Sequence, residues 1–326
     1  MLLGLLRRRH QPDAGTDPRP GRQFEPDPHR LDDRLRPGGY RRRARRRQSR
    51  AGHAAGRVGL TQFGVIGGGG WLGKALLLPA LADGVIAGEA LTVSSRSGTV
   101  PGFEPWPAVR QTKDNAALAA DADVVMLSVR PQDLDAIALD LSGKLVISVM
   151  AMVSLADLAA RFEARRIIRA MPNTAAEKRL SFTPWLASPD TTEADCAFAE
   201  RLFEASGKVQ RIATETELDY FTALTGSGPA FLAVFADAMI SDAVTKGIER
   251  GIAERAVRQL FLGGSTLLAG SKQTPDEIVQ TFLDYAGTTA AGLEAMAAAD
   301  IHTPIARGLT AAAAKAAAGT RDCDLG

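Results

Sequence analysis

Residues 63–76 read Phe-Gly-Val-Ile-Gly-Gly-Gly-Gly-Trp-Leu-Gly-Lys-Ala-Leu, and this stretch decides the fold. A short apolar run leads into a glycine-rich turn, and the turn leads into an apolar helical segment. This order is typical of the first strand–loop–helix unit of a dinucleotide-binding domain, where glycines let the backbone approach a pyrophosphate and the helix N-terminus faces its charge. Two registers fit, Gly68-x-Gly70-x-x-Gly73 and Gly67-x-x-Gly70-x-x-Gly73. We expect a nucleotide at this loop, the alternative being a flexible turn without a ligand.

The second predicted strand, 90–94, ends in a loop that favours one form of the dinucleotide. NAD-dependent domains usually place an acidic residue here to bind the ribose 2′-hydroxyl. This chain has Ser95, Arg96 and Ser97 instead, and a guanidinium with two hydroxyls suits a 2′-phosphate. The loop therefore predicts NADPH, with NADH as the alternative, while an exposed arginine that binds nothing is the competing interpretation.

Further apolar runs predict a Rossmann-type parallel sheet covered by helices on both faces. They lie at residues 124–129, 145–149 and 167–170, with helical stretches between them, and runs at 182–187 and 208–212 complete the domain. Ligands bind beyond the carboxyl ends of such strands, so we expect the glycine loop, Arg96, Arg130 and Asn173 on one rim. The predicted NADP-binding domain spans residues 61–213.

Residues 214–326 read as an all-α domain for dimerisation and substrate binding. The stretch 230–244 is apolar around almost its whole circumference, which one layer of neighbours cannot cover, so we expect a dimer at least. Two glycine turns lead directly into helices, at residues 224–231 and 286–293. Their first N–H groups could receive a carboxylate, although ordinary helix capping is the alternative for each.

Composition limits the remaining classes of function. Residues 1–60 hold sixteen arginines and six carboxylates, so this segment carries about +10 although the whole chain is only +2. We expect a disordered tail there, and a native start near residue 58 or 60 would place it outside the protein; nucleic-acid binding is the less favoured interpretation. The uninterrupted apolar runs are too short for a membrane helix, which predicts no membrane role. Two cysteines, and one histidine after residue 60, predict no metal site.

From residue 62 to 318 the chain resembles the pyrroline-5-carboxylate reductases, which reduce a cyclic imine to proline with NAD(P)H. The markers are the glycine loop, Ser95-Arg96-Ser97, Asn115, residues 129–132, 146–151, 169–174 and 225–231, and Gly287-Thr288-Thr289. Their order and spacing agree with the family. The resemblance implies a cytoplasmic enzyme of proline biosynthesis with a small imino acid as substrate and an interlocked homodimer.

The resemblance also implies roles for individual residues. The positions matching cofactor contacts are Gly67, Gly68, Gly70, Trp71, Leu72, Gly73, Ser95, Arg96, Ser97, Asn115, Val129, Arg130, Pro131 and Ala151. Those assigned to the substrate are Ser227, Gly228, Gly287, Thr288 and Thr289. Thr289 is the expected catalytic residue, because its hydroxyl matches the one that hydrogen-bonds the ring nitrogen.

The chain also departs from the family pattern, mostly on the substrate side. Asp284-Tyr285-Ala286-Gly287 replaces Ser-Pro-Gly-Gly, Met152 replaces a glycine, Ala175 a proline, and Glu177-Lys178-Arg179 a Val-Gly-Glu-Gly pattern. Three alternatives therefore stay open: a reductase of a related cyclic imine, an enzyme like the β-hydroxyacid dehydrogenases, and an NADP-binding sensor without catalysis. The dehydrogenase interpretation is weakened because the turn at 226–231 lacks the lysine that such enzymes use as an acid.

Overall fold

The structure is a computed structural model that describes residues 61–319. The expectations for residues 1–60, including the disordered tail, lie outside the described residues. Within residues 61–319 the chain forms one mixed sheet followed by helices, which confirms the predicted Rossmann-type class and the change to all-α structure.

Eight strands of the described chain form one sheet in the order β3-β2-β1-β4-β5-β6-β7-β8. They are β1 (Phe63–Ile66), β2 (Leu91–Ser94), β3 (Arg110–Thr112), β4 (Val124–Leu127), β5 (Leu145–Ser148), β6 (Arg166–Ala170), β7 (Ser181–Ala187) and β8 (Gly207–Arg211). The central strand β1 pairs in parallel with β2 and β4, Val65 lying opposite Val93 and Met126. The carboxyl ends of β1, β2 and β4 therefore meet at one edge of the sheet.

The last two strands correct the expectation of a uniformly parallel sheet. β7 runs antiparallel to β6, and β8 runs parallel to β7. Only residues 171–180 connect β6 to β7, with a short helical turn at Thr174–Lys178. A parallel return needs a crossover of a dozen or more residues, usually a helix, so this short connection reverses the strand.

The sheet helices are α1 (Trp71–Ala82), α2 (Asn115–Asp121), α3 (Leu155–Phe162) and α4 (Glu193–Glu204). They cover two faces, and the alternation of side chains along each strand divides the core accordingly. Val65 and Met126 lie in one cluster with Leu76 of α1 and Phe203 of α4. Val125 and Leu127 lie in the other cluster, with α2 and α3.

The helices that follow the sheet are α5 (Glu215–Phe221), α6 (Gly228–Thr245), α7 (Arg250–Gly270), α8 (Pro275–Tyr285), α9 (Thr288–Ala298) and α10 (His302–Gly319). A π-helical turn at Thr222–Gly226 joins α5 to α6. After residue 213, where the sequence predicted an all-α domain, the described residues form helices and no strand. The described residues divide into two compact units, 61–272 with 305–319, and 273–304.

Helix α6 exposes the apolar surface that its sequence predicted. None of its side chains is buried in the protomer. Together with α5 it forms a helical run, Glu215–Thr245, that is long and apolar enough to cross a membrane by length and composition. The sequence argument that no stretch approaches that length was wrong here, because it counted uninterrupted apolar residues and a helix tolerates a few polar ones.

Two elements were missed from the sequence. Strand β3 has only three residues, Arg-Gln-Thr, and it is largely exposed at the sheet edge, so it has no apolar signal. Helix α4 begins in a capping box formed by Thr192 and Asp195. This pattern is readable in sequence and could have located the helix.

Candidate active site

The glycine loop between β1 and α1 is shaped by backbone contacts that exclude side chains. Gly67 has a φ of 77°, and a Cβ placed there would lie 2.5 Å from the carbonyl oxygen of Ser128. A Cβ on Gly68 would lie 2.8 Å from side-chain carbons of Val65 and Val93, and one on Gly73 would lie 2.7 Å from the Cα of Gly68. The loop therefore packs tightly on the sheet, and α1 packs tightly on the loop.

These contacts show at which positions of the two predicted registers a residue larger than glycine would collide with its neighbours. Gly67, Gly68 and Gly73 are each required by a close approach, so both first glycines matter. Gly70 is the N-cap of α1, its N–H donates to the carbonyl of Gly67 at 2.9 Å, and a Cβ there would meet nothing closer than 3.2 Å. Gly70 thus belongs to the same turn as Gly67 and Gly68.

The three helix starts that the sequence assigned to ligands lack a side-chain cap. In α1, α6 and α9 the N-cap residues Gly70, Ser227 and Gly287 accept no side-chain hydrogen bond from the first turn. Helices α2, α3, α4 and α5 are capped by Asp114, Ser154, Thr192 and Thr214. The first N–H groups of an uncapped helix can bind an anion.

The loop after β2 presents polar groups at the rim. Ser95 Oγ accepts a hydrogen bond from the N–H of Gly98, and Ser97 Oγ donates to the carbonyl of Thr99, so both hydroxyls fold the loop. Arg96 is exposed and forms no ion pair with any residue between 61 and 319. Asn115 accepts a 2.6 Å hydrogen bond from Ser94 Oγ, which ties the start of α2 to β2.

Lys113 is a cation at this loop that sequence reasoning missed. Its side chain packs over Gly98, where a Cβ would lie 2.7 Å from the Lys113 Cγ. Lys113 directly follows β3, which pairs with β2, so the two strands end side by side. The sequence could have placed Lys113 at this loop only if strand β3 had been predicted.

Arg130, after β4, is held by a neighbouring carboxylate. Its Nε and Nη2 donate to the two oxygens of Asp133 at 2.7 and 2.9 Å. This hydrogen-bonded pair lowers the pKa of Asp133, and the positive charge of Arg96 contributes in the same direction. Val129 and Pro131 are partly buried beside it, and Val129 contacts the loop through Gly67.

Trp71 and Glu177 join two departures from the family pattern. The indole Nε1 donates to Glu177 Oε2 at 3.3 Å, and the indole is 46% exposed at the start of α1. The turn that carries Glu177 is anchored by Arg179, whose guanidinium forms an ion pair with Asp83 at the end of α1. The phosphate loop and the segment after β6 are thus in contact.

Beyond β5, Ala151 is partly buried and packs beside Met171. The next residue, Met152, has a φ of 63°, a left-handed conformation that favours the glycine usual in the family. Its side chain lies against Gly319 at the end of α10.

The predicted substrate residues of the π-turn are engaged within the protein. Ser227 Oγ donates to the carbonyl of Thr222 at 3.3 Å, which closes the turn. Asn173 Nδ2 donates to the carbonyl of Thr225 at 3.1 Å, linking the segment after β6 to the same turn. Gly228 begins α6 with open space where a Cβ would stand.

The Gly287-Thr288-Thr289 motif lies in the compact unit formed by residues 273–304, whereas the sheet belongs to the other unit. Gly287 is the N-cap of α9, and Thr288 and Thr289 form its first turn. Tyr285 is 84% exposed and its ring lies over Gly287, while Ala286 has a φ of 54° where the family has a glycine. The motif is therefore an open helix start beside an exposed aromatic ring.

The described residues fit an NADP-type dinucleotide. The glycine cradle leaves room that a Cβ would fill, the start of α1 has uncapped N–H groups, and Arg96 and Lys113 carry positive charge after β2 and β3. Among residues 61–319 no group of three or more histidine, cysteine or acidic residues could hold a metal ion.

Comparison with known families supports this assignment. A family model described as pyrroline-5-carboxylate reductase dimerisation matches residues 215–318. A second model, described as NADP oxidoreductase coenzyme F420-dependent, matches residues 62–152. A pyrroline-5-carboxylate reductase of Synechocystis sp. is 32% identical over 256 residues, covering 77% of this chain and 95% of the relative. One from Vibrio alginolyticus is 31% identical over 259 residues, covering 76% and 95%.

Solved structures show the same fold. A pyrroline-5-carboxylate reductase from Coxiella burnetii is 25% identical with a TM-score of 0.72, covering 80% of this chain and 99% of that one. A pyrroline carboxylate reductase from Plasmodium falciparum, solved with NADP bound, has a TM-score of 0.68 at 22% identity, covering 80% and 100%.

Proposed function

The chain belongs to the pyrroline-5-carboxylate reductase family, and from this premise we propose that it reduces 1-pyrroline-5-carboxylate to L-proline with NADPH. The observation that carries the proposal is the pair of open helix starts, one at the glycine cradle of α1 and one at Gly287-Thr288-Thr289. The first suits a pyrophosphate and the second suits the carboxylate of a small acid.

The nicotinamide, when bound, supplies the hydride. The protein supplies binding and orientation. Gly67, Gly68, Gly70, Trp71, Leu72 and Gly73 form the phosphate loop of the proposal. Ser95, Arg96, Ser97, Asn115, Val129, Arg130, Pro131 and Ala151 line the rest of the cofactor site. NADPH is the preferred form because Arg96 is exposed and unpaired among the described residues, with NADH as a second donor.

On the substrate side, the N–H groups of Gly287 and Thr288 receive the carboxylate and the Thr289 hydroxyl hydrogen-bonds the ring nitrogen. A cyclic imine can take its proton from water before it binds, so positioning carries most of the rate and no strong acid is required. This agrees with a sequence in which His302 is the single histidine after residue 60. Ser227 and Gly228 complete the proposed substrate site through their backbone, since the Ser227 hydroxyl is occupied.

The proposal extends to the oligomeric state, the domain boundary and the cellular location of the protein. The exposed apolar surface of α6 and the match of residues 215–318 to a dimerisation model support a homodimer rather than a membrane helix. The same match supports a boundary between residues 213 and 214, although the contact-based units divide elsewhere. We propose a cytoplasmic location, as membership of this family of metabolic enzymes implies.

The test is NADPH oxidation with pyrroline-5-carboxylate, comparing wild type with Thr289→Ala. Losing one hydrogen bond to the reacting nitrogen should lower kcat about 10- to 100-fold while NADPH binding stays within a factor of about two. Thr281→Ala is the matched control, because the Thr281 hydroxyl bonds only the carbonyl of Glu277 in its own helix. Unchanged turnover in Thr289→Ala would remove the catalytic role.

The same assay separates the alternatives. A panel of cyclic imino acids identifies a related imine, which Tyr285 beside Gly287 motivates. Oxidation of a β-hydroxyacid with NADP⁺ would instead identify a dehydrogenase. NADPH binding without turnover on any of these substrates would identify a sensor.

A further inference from the structure

The ion pair between Arg130 and Asp133 is not explained by cofactor binding alone. The two side chains meet in a bidentate geometry at 2.7 and 2.9 Å, with the Asp133 side chain 38% exposed and the Arg130 side chain 62% exposed. Arg130 precedes the helical turn Pro131–Ala136 and Asp133 lies in its first turn, so the backbone holds both groups at the rim. A guanidinium in such a fork has fewer free N–H groups for a phosphate.

The charges near this pair are mixed. β2 and β4 both neighbour β1, so Arg96 and Arg130 follow strands that end on the same edge of the sheet. Lys113 adds a third positive charge beside the loop after β2. Asp114 is occupied as the cap of α2, accepting from the N–H groups of Ala116 and Ala117. Asp133 is thus a partly exposed carboxylate paired with Arg130, and the charge of Arg96 contributes to lowering its pKa.

Such a carboxylate has opposite effects on the two forms of the cofactor. It repels a 2′-phosphate and neutralises Arg130, whereas it can accept a hydrogen bond from a free 2′-hydroxyl. NAD-dependent domains usually take that acceptor from the residue after the second strand. In this chain that position belongs to the loop of Arg96, and Asp133 is a carboxylate in the segment after β4.

We propose that Asp133 is a specificity-determining residue that moderates the preference for NADPH and permits the use of NADH. It does so by holding Arg130 in a bidentate ion pair and by adding a negative charge to the edge of the sheet at which the loop of Arg96 also lies. The inference rests on one part of the proposed function, namely that the adenosine part of the cofactor binds at the carboxyl ends of β2 and β4.

The test is binding of two cofactor fragments, 2′,5′-ADP and ADP, by calorimetry at low salt, without substrate. Asp133→Asn should tighten binding of 2′,5′-ADP about 3- to 10-fold, since an exposed charge pair at several ångströms contributes on the order of 1 kcal/mol. ADP should bind equally well or more weakly. At high salt the preference of Asp133→Asn for 2′,5′-ADP over ADP should return toward the wild-type value, because exposed charges are screened.

The matched control is Asp135→Asn. Asp135 lies in the same helical turn and also pairs with an arginine, Arg161 at 3.1 Å, and its side chain is 90% exposed. Asp135→Asn changes the net charge by the same amount as Asp133→Asn and should leave the ratio of the 2′,5′-ADP and ADP affinities unchanged. Asp133→Glu keeps the charge and should retain the wild-type ratio, and Arg96→Ala should move the ratio in the opposite direction from Asp133→Asn.

The inference is overturned if Asp133→Asn leaves the ratio unchanged or moves it no more than Asp135→Asn does. Thermal melting verifies that each variant is folded. The result is separable from the proposed function: a shifted ratio in a protein that does not reduce pyrroline-5-carboxylate would support the inference and reject the function. Reduction of pyrroline-5-carboxylate, together with an unchanged ratio of the 2′,5′-ADP and ADP affinities in Asp133→Asn, would support the function and reject the inference.

Discussion

Five residues other than glycine have a left-handed φ in the described chain, and three of them stand at departures from the family pattern. Met152, Arg179 and Ala286 have φ values of 63°, 59° and 54°. Met152 and Ala286 stand where the family usually has glycine, and Arg179 stands in a segment where the family carries glycines. A non-glycine residue in this region costs roughly 1 kcal/mol. Met152 follows Ala151 and Ala286 precedes Gly287, so this chain carries backbone strain beside two of the proposed site residues.

The glycine cradle gives the sharpest prediction for a single residue. In Gly73→Ala the new Cβ would meet the backbone of Gly68 at 2.7 Å, so α1 must move away from the loop. We expect NADPH affinity to fall at least about tenfold and stability to fall by about 1–3 kcal/mol. A fluorescence titration with NADPH measures the first and urea unfolding the second.

Gly88→Ala is the matched control, because its Cβ would make only ordinary contacts, the nearest at 3.7 Å. Wild-type NADPH affinity in Gly73→Ala would show that the loop tolerates the displacement and that close packing of α1 is not required.

At the scale of elements, the sheet is joined to the first helix of the helical region by a buried ion pair. Arg169 of β6 is only 1% exposed and donates to Glu215, the first residue of α5, which also accepts from the N–H of Leu155 in α3. The Nε of Arg169 has no hydrogen-bond partner in the described chain. Glu215 therefore holds three elements together and compensates most of the charge of a buried guanidinium.

Breaking this pair from one side should be costly. Glu215→Gln leaves the Arg169 charge uncompensated, and because Glu215 is partly exposed we expect a loss of about 3 kcal/mol, the low end for buried pairs. The double variant Arg169→Met with Glu215→Gln should recover part of the loss, because it removes the buried charge. Urea unfolding measures each variant.

Asp135→Asn breaks an exposed ion pair and should cost less than about 1 kcal/mol. If Glu215→Gln lowered the free energy of unfolding no more than Asp135→Asn does, the Arg169–Glu215 pair would contribute no more to stability than an exposed ion pair, despite the burial of Arg169.

On the scale of the whole molecule, the helices after the sheet leave apolar surface uncovered. Val234 in α6 and Leu262 and Leu267 in α7 are each more than 60% exposed. Monomeric proteins rarely expose a contiguous apolar surface of this kind, and a second copy of the chain is the simplest cover for it. The match to a dimerisation model over the same helices supports that interpretation.

Val234→Glu should weaken the proposed dimer. Placing a charge in an apolar interface costs several kcal/mol, so the dissociation constant should rise about 100-fold or more. Sedimentation equilibrium measures the change, and circular dichroism verifies the helices.

Leu180→Glu is the control, because Leu180 is 62% exposed but lies outside the helical region, and its assembly should match wild type. Identical sedimentation of Val234→Glu and wild type would place the interface elsewhere. Wild-type protein found only in the membrane fraction would reject the dimer in favour of a spanning helix.

The sequence by itself determined the fold class, the glycine loop, the strands of the sheet core and the all-α character of the region after residue 213. Each of these depends on neighbours within a few residues, either an apolar period or a glycine turn that leads into a helix. Only the tertiary structure decided the reversal of β7, the place of β3, and the contacts of Lys113 with Gly98, Trp71 with Glu177 and Arg169 with Glu215. These contacts join residues up to 106 positions apart, and no local pattern specifies which distant side chains the packed sheet brings together.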